Sequence, residues 1–142
     1  MNLYNLHSNP KELYGFDVAP YKMPELAYEL ANTNPELRPK LEPAIMKDPK
    51  YAYYYVRDVL KRPWPEAEPV IIKDPTVAAD YASDVLKRRW PDAEPYIMKD
   101  PQWAYSYVRS VLKRAWPEAE PYIMKDPIWW NQYKKMFKNG AF

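Results

Sequence analysis

Lys99 to Glu120 read KDPQWAYSYVRSVLKRAWPEAE, and the same phrase begins at Lys47, Lys73, Lys99 and Lys125, a period of 26 residues. Self-similarity at such a period marks a supersecondary unit that cannot bury its own apolar face and must stack on its neighbours. Within each unit Asp48, Asp74, Asp100 and Asp126 stand directly before a proline. Aspartate then serves as N-cap and proline as first residue of a helix. The helix is predicted to run to about Lys61, where Lys61 and Arg62 suit the negative end of the helix dipole. It must end at the Trp-Pro pair that follows, because the residue before proline is pushed away from helical geometry.

At 100° per residue, Ala52, Tyr55, Val56, Val59 and Leu60 share one helical face with Tyr53 at its edge, while Lys50, Tyr54, Arg57, Asp58 and Lys61 lie opposite. The next units copy the first set as Ala78, Tyr81, Ala82, Val85 and Leu86, then Ala104, Tyr107, Val108, Val111 and Leu112. The opposite face drifts, with Tyr54 becoming Asp80 and Ser106. The copied face is therefore the predicted core.

Pro69 can be accommodated in a second helix only near its start, since deeper in it would clash with the carbonyl four residues earlier. A short helix from about Glu66 to Ile72 meets that condition, as does a single helical turn of another type. Val70, Ile71 and Ile72, echoed by Tyr96, Ile97 and Met98, are expected to pack inward. Two helices per unit define the expected fold class: all-α, a short α-solenoid of 26-residue helix-turn-helix repeats with N- and C-terminal caps.

The whole chain, 1–142, reads as one repeat domain. Residues 1–22 form the predicted N-terminal cap, with Asn9 and Pro10 opening a short helix that Gly15 ends. Residues 23–46 are a divergent first repeat, because Pro24, Ala27 and Tyr28 precede Pro49, Ala52 and Tyr53 by 25 residues while Glu42 and Pro43 precede Glu68 and Pro69 by 26. Full repeats follow at 47–72, 73–98 and 99–124, and 125–142 is a C-terminal capping helix with Gly140 as its stop. Lys134 stands where the earlier copies have an apolar residue, which predicts that one side of this last helix meets solvent.

Composition supports a packed core: 47% of residues are hydrophobic, with 14 tyrosines and 6 tryptophans, and the 17 prolines fall at fixed intervals as punctuation. A buried Tyr or Trp removes roughly 150–250 Å² from water, about 4–6 kcal/mol of gross stabilisation. The formal net charge is +2, from 21 basic and 19 acidic side chains, which is not the footprint of a general polyanion binder. No cysteine is present, so disulfides and thiolate metal sites are excluded. No apolar run reaches membrane-spanning length and no signal segment opens the chain, so a cytoplasmic protein without membrane contact is expected.

The motif DPxxAYxYVRDVLKRxWPEAEPYIMKDP resembles a repeat of uncharacterised proteins from large tailed bacteriophages. The resemblance spans Pro24 to Lys138 and is most specific at the Trp-Pro-Glu-Ala-Glu-Pro element of Trp64 and Trp116, with Asp92 replacing Glu in the middle copy. That pattern has Gly after Lys, where this chain has Arg62, Arg88 and Arg114, so no glycine is offered for a left-handed cap there. The resemblance implies a phage-encoded protein working in a bacterial cytoplasm and implies no reaction.

The residues argue against catalysis. His7 is the single histidine, Gly15 and Gly140 are the two glycines, and serine has no local histidine partner. Glu66 and Glu68 are explained by the helix dipole, and the repeated aspartates by N-capping. No catalytic, metal-binding or cofactor-binding residue is assigned, and neither a cofactor nor a small-molecule substrate is expected. Tyr55, Tyr81, Tyr107 and Tyr133, with Trp64, Trp90 and Trp116, recur in phase with the inner face and belong to the core rather than to a base-stacking ladder. Candidate partner-binding positions are those where the phrase varies: Lys50, Thr76 and Gln102; Tyr54, Asp80 and Ser106; Arg57 and Arg109 with Ser83 between them. Lys61, Lys87, Lys113 and Lys135 extend Arg57 and Arg109 into a basic stripe.

The expected function is a non-catalytic scaffold that binds a protein partner, as a phage accessory protein engaging a host or viral protein. Single-stranded nucleic acid or RNA binding through the stripe is the alternative, with Asp58 and Asp84 set against it. A structural or self-assembling virion component, associating through Trp129, Trp130 and Phe142, is the third; otherwise the chain is expected to be a monomer.

Overall fold

The structure, a computed structural model, describes residues 23–138. The N-terminal cap expected at 1–22 and the stop expected at Gly140 lie outside the described residues, which form nine α-helices and no strand. The contacts group the chain into two compact units that part between Val70 and Ile71.

In the first unit, α1 (Pro24–Thr33) packs against α2 (Arg38–Ile45) and α3 (Pro49–Tyr55), and α4 (Glu68–Ile71) begins at its end. Ala27, Leu30, Ala31, Leu41, Ala44, Ile45, Ala52, Tyr55 and Val56 are buried in its core. Asn34 and Arg38 close the end of α1 by donating from Nδ2 to the Leu30 carbonyl and from Nε to the Ala31 carbonyl, each at 2.9 Å. The Leu30 carbonyl also accepts the Asn34 backbone N–H at 2.9 Å, while Arg38 supplies a donor to the Ala31 carbonyl at the open end of the helix.

In the second unit, α5 (Pro75–Tyr81) packs on α7 (Pro101–Tyr107), and α7 on α9 (Pro127–Lys138). The short helix α6 (Glu94–Ile97) sits against α5 and α7, and α8 (Glu120–Ile123) against α7 and α9. Ala78, Tyr81, Ala82, Ala104, Tyr107 and Val108 are buried, as are Ala93, Ile97, Ala119 and Ile123 of the short elements.

Local structure recurs with the sequence period. The Oδ1 atoms of Asp48, Asp74, Asp100 and Asp126 each accept two backbone N–H bonds, at 2.9 and 3.2, 3.0 and 3.4, 3.0 and 3.2, and 2.9 and 3.3 Å respectively. The helices that follow begin at Pro49, Pro75, Pro101 and Pro127. Their far ends hold a feature the sequence reading lacked. Val56–Leu60, Ala82–Leu86 and Val108–Leu112 form a π-helical last turn, in which the Lys61 and Lys113 N–H groups each reach back five residues to the Val56 and Val108 carbonyls at 2.7 Å. Lys61, Lys87 and Lys113 then stop the helix in left-handed backbone, with φ of 54°, 53° and 52°. A left-handed cap does exist, therefore, one residue earlier than the glycine of the resembling pattern and built on lysine.

The second element differs from the simple inward-packing helix expected of it. A 3₁₀ turn at Pro65–Ala67 leads into the four-residue α4, and so short a helix has one inward position. Ile71, Ile97 and Ile123 take it at 0% exposure, whereas Val70, Ile72 and Met98 are half-buried and Tyr96 is 47% exposed. Val59, Leu60, Val85, Leu86 and Val111 of the π turns are likewise half-buried rather than core, whereas Leu112 is buried. On α9, Lys134 is exposed as the sequence predicts, and Trp130 is half-buried where Ala52, Ala78 and Ala104 are fully covered.

Candidate binding surface

The repeated aromatic residues are interior. Trp64, Trp90 and Trp116 are 4%, 5% and 2% exposed, and their rings lie 5.1, 5.1 and 5.3 Å from those of Tyr55, Tyr81 and Tyr107. Three of the repeated tyrosines use their hydroxyls as well. Tyr55, Tyr107 and Tyr133 donate to the carboxylates of Glu42, Glu94 and Glu120, thirteen residues earlier, at 2.8, 3.0 and 2.8 Å. In the second unit the same hydroxyls accept from the Trp90 and Trp116 backbone N–H groups at 2.8 and 2.9 Å. One phenol thus ties a short element to the long helix that follows it.

Around Glu94 the clasp is reinforced by Arg89, whose Nε and Nη2 donate to its two oxygens at 2.9 and 2.8 Å. Burial pushes the Glu94 pKa up, but the hydrogen bonds from Arg89 and Tyr107 outweigh it and hold the carboxyl below its ordinary value. Burial, followed by the nearby glutamate, raises the phenol pKa values of Tyr55 and Tyr107, and that of Tyr133 to about 12. The sequence reading gave Glu42, Glu94 and Glu120 no role of this kind. A Glu–Tyr spacing of thirteen that recurs with the period was the signal available in the sequence.

The varying positions all reach solvent. Lys50, Arg57, Lys61, Lys87, Gln102, Arg109, Lys113 and Lys135 are exposed, and Tyr54, Thr76, Asp80 and Ser106 are half-buried. They do not form one continuous chemistry. Lys61, Lys87 and Lys113 are the left-handed helix stops, so these members of the stripe also have a backbone role.

In the first unit, Tyr54 is the centre of a cluster that sequence reasoning did not assemble. The rings of Tyr28, Tyr51 and Tyr54 stand 5.9–6.0 Å apart, and Tyr53 is 6.0 Å from Tyr54. Lys50 Nζ lies 5.5 and 5.7 Å over the Tyr51 and Tyr54 rings, and the Arg57 guanidinium 5.6 and 4.8 Å over Tyr53 and Tyr54. Arg57 also makes a two-pronged ion pair with Asp58, at 2.7 and 2.9 Å, and Tyr28 donates to the same carboxylate at 2.6 Å. The Arg57 hydrogen bond is the main reason the Asp58 carboxyl lies below its ordinary pKa. The result is a packed tyrosine cluster in which Asp58 balances the charge of Arg57.

In the second unit, the corresponding rings are Trp103, Tyr105 and Trp129, all half-buried, with Tyr105 and Trp129 5.3 Å apart across α7 and α9. Among the described residues no three histidine, aspartate or glutamate side chains converge as a metal site. No described helix is long and apolar enough to cross a membrane. No family profile, curated protein or solved structure matches the chain.

Proposed function

We propose that the chain is a non-catalytic protein-binding scaffold in which the 26-residue units stack as an α-solenoid. The bacteriophage-like repeat supports reading it as an accessory protein of a phage, acting as a monomer in the host cytoplasm on a host or viral protein. The observation that carries the binding reading is the contrast between the two helix faces. The positions of Ala52 and Tyr55 are copied and fully buried, while those of Lys50, Tyr54 and Arg57 reach solvent and change from unit to unit. Selection for stacking explains the first face and leaves the second available for recognition.

The tyrosine cluster of the first unit is the contact surface. Tyrosine and arginine are enriched at the centres of protein interfaces because they supply large contact area at low entropic cost. Here the rings are already ordered by one another and by Lys50 and Arg57. The test is affinity capture from bacterial lysate with the native protein and with Tyr54→Ala/Arg57→Ala. A partner retained by the native chain and weakened at least about 30-fold in the variant is the expected result. Identical recovery on both would refute the assignment.

A further inference from the structure

The last two long helices differ from the earlier ones in a way that points to a second ligand. Residues 75–90 carry Asp80 and Asp84, but residues 101–116 and 127–138 contain no aspartate or glutamate. The position of Asp84 becomes Ser110 and then Met136, and that of Asp80 becomes Ser106 and then Gln132. Cations are kept or added over the same span: Arg109, Lys113, Lys134, Lys135 and Lys138 are all exposed. α7 packs on α9, and all five charges belong to the unit that these helices build. Arg114 is also exposed, but it acts on Glu94, so it is not counted among the available charges.

Four acids of this unit accept hydrogen bonds from within it. Asp100 and Asp126 cap their helices, Glu120 accepts from Tyr133, and Glu94 is held by Arg89 and Tyr107. Glu118 is the exposed acid of the intervening turn. Interleaved with the cations are half-buried rings, Trp103, Tyr105, Trp129 and Trp130, the last with Lys134 Nζ 5.6 Å over its face. Cations that track a phosphate backbone, set among aromatic platforms, suit an unpaired strand whose bases can stack.

We propose that the α7–α9 surface binds single-stranded nucleic acid, with Arg109, Lys113, Lys135 and Lys138 on phosphates and the flanking tryptophans against bases. The site is separate from the tyrosine cluster of the first unit and needs no protein partner.

Fluorescence anisotropy with a labelled 20-nucleotide oligothymidylate, read beside intrinsic tryptophan emission, tests it. Four phosphate contacts to a single strand predict a slope of about −2.8 in log affinity against log salt, a loss of about 50-fold between 50 and 200 mM. Arg109→Glu/Lys135→Glu is expected to weaken binding at least tenfold, and Arg109→Gln/Lys135→Gln by less. Lys40→Glu/Lys47→Glu in the first unit should leave affinity within twofold. Oligothymidylate should also quench tryptophan emission. No binding at 50 mM salt would overturn the proposal. So would equal competition by a polyglutamate of the same length, which would identify an acidic protein surface as the ligand, or equal weakening by the Lys40/Lys47 pair.

Discussion

Lys113 holds a backbone conformation that an L-residue adopts at a cost of roughly 1–2 kcal/mol and glycine adopts freely. Its positive charge at a helix C-terminus returns part of that cost through the helix dipole. Replacing it with glycine removes the strain but adds freedom to the unfolded chain, so Lys113→Gly is expected to raise stability by about 0.5–1 kcal/mol. Lys113→Val should lower it by about 1–2 kcal/mol, because a β-branched side chain tolerates positive φ poorly. Urea unfolding midpoints of the two variants decide the matter. Tyr107 is the opposite case, a residue whose value lies in one atom. Tyr107→Phe keeps the ring on Trp116 but strips the Trp90 N–H of its acceptor and Glu94 of a donor. A buried polar group left unpaired costs about 1–3 kcal/mol, so a loss in that range is expected in the same measurement.

At the level of elements, the beginnings of helices were far more legible in the sequence than their ends. A cap is a local contract between an aspartate and two N–H groups, and Asp-Pro states it in two letters. Asp100→Ala is accordingly expected to cost about 0.5–2 kcal/mol, with Asp100→Asn recovering most of it; thermal unfolding by circular dichroism checks both. The π turn that closes each helix has no such signature. Val108 to Leu112 read as ordinary amphipathic helix, and nothing in five consecutive residues announces that the carbonyl of the first will meet an N–H five positions on. The short helices misled for a different reason. Three adjacent apolar residues suggested three inward side chains, but one turn can direct only one of them squarely into the core, and Ile97 is that one. Cluster assembly was similarly hidden. Tyr54 and Arg57 are neighbours on a helical wheel, whereas Tyr28 arrives from α1 and joins them through Asp58, thirty residues away.

Across the whole molecule, the buried ionisable groups divide into two sets with opposite pH behaviour. Glu94 and Asp58 have folded pKa values below their ordinary 4.5 and 3.8. The stability they contribute is complete above those ordinary values and is lost as pH falls through the lower folded ones. Tyr55, Tyr107 and Tyr133 have folded values above the ordinary 10.0. Their contribution is complete below pH 10 and is lost as pH rises through the folded values. Denaturant midpoints should therefore form a plateau between about pH 5 and 9, falling at both edges. Two features make the prediction specific to these contacts. Glu94→Gln should flatten the acid edge, because a neutral amide cannot gain a proton on unfolding, while leaving the alkaline edge in place. Absorbance at 295 nm should show at least three tyrosines that ionise above pH 10 in the folded protein and join the ordinary group in about 8 M urea. Simultaneous titration of all 14 tyrosines near pH 10 in native buffer would mean that the tyrosine–glutamate clasp is not formed in solution. Because Tyr28 and Tyr51 are also raised, by burial and by contacts outside the clasp, the clasp is read by difference: Tyr107→Phe and Tyr133→Phe should each remove one tyrosine from the late-ionising group.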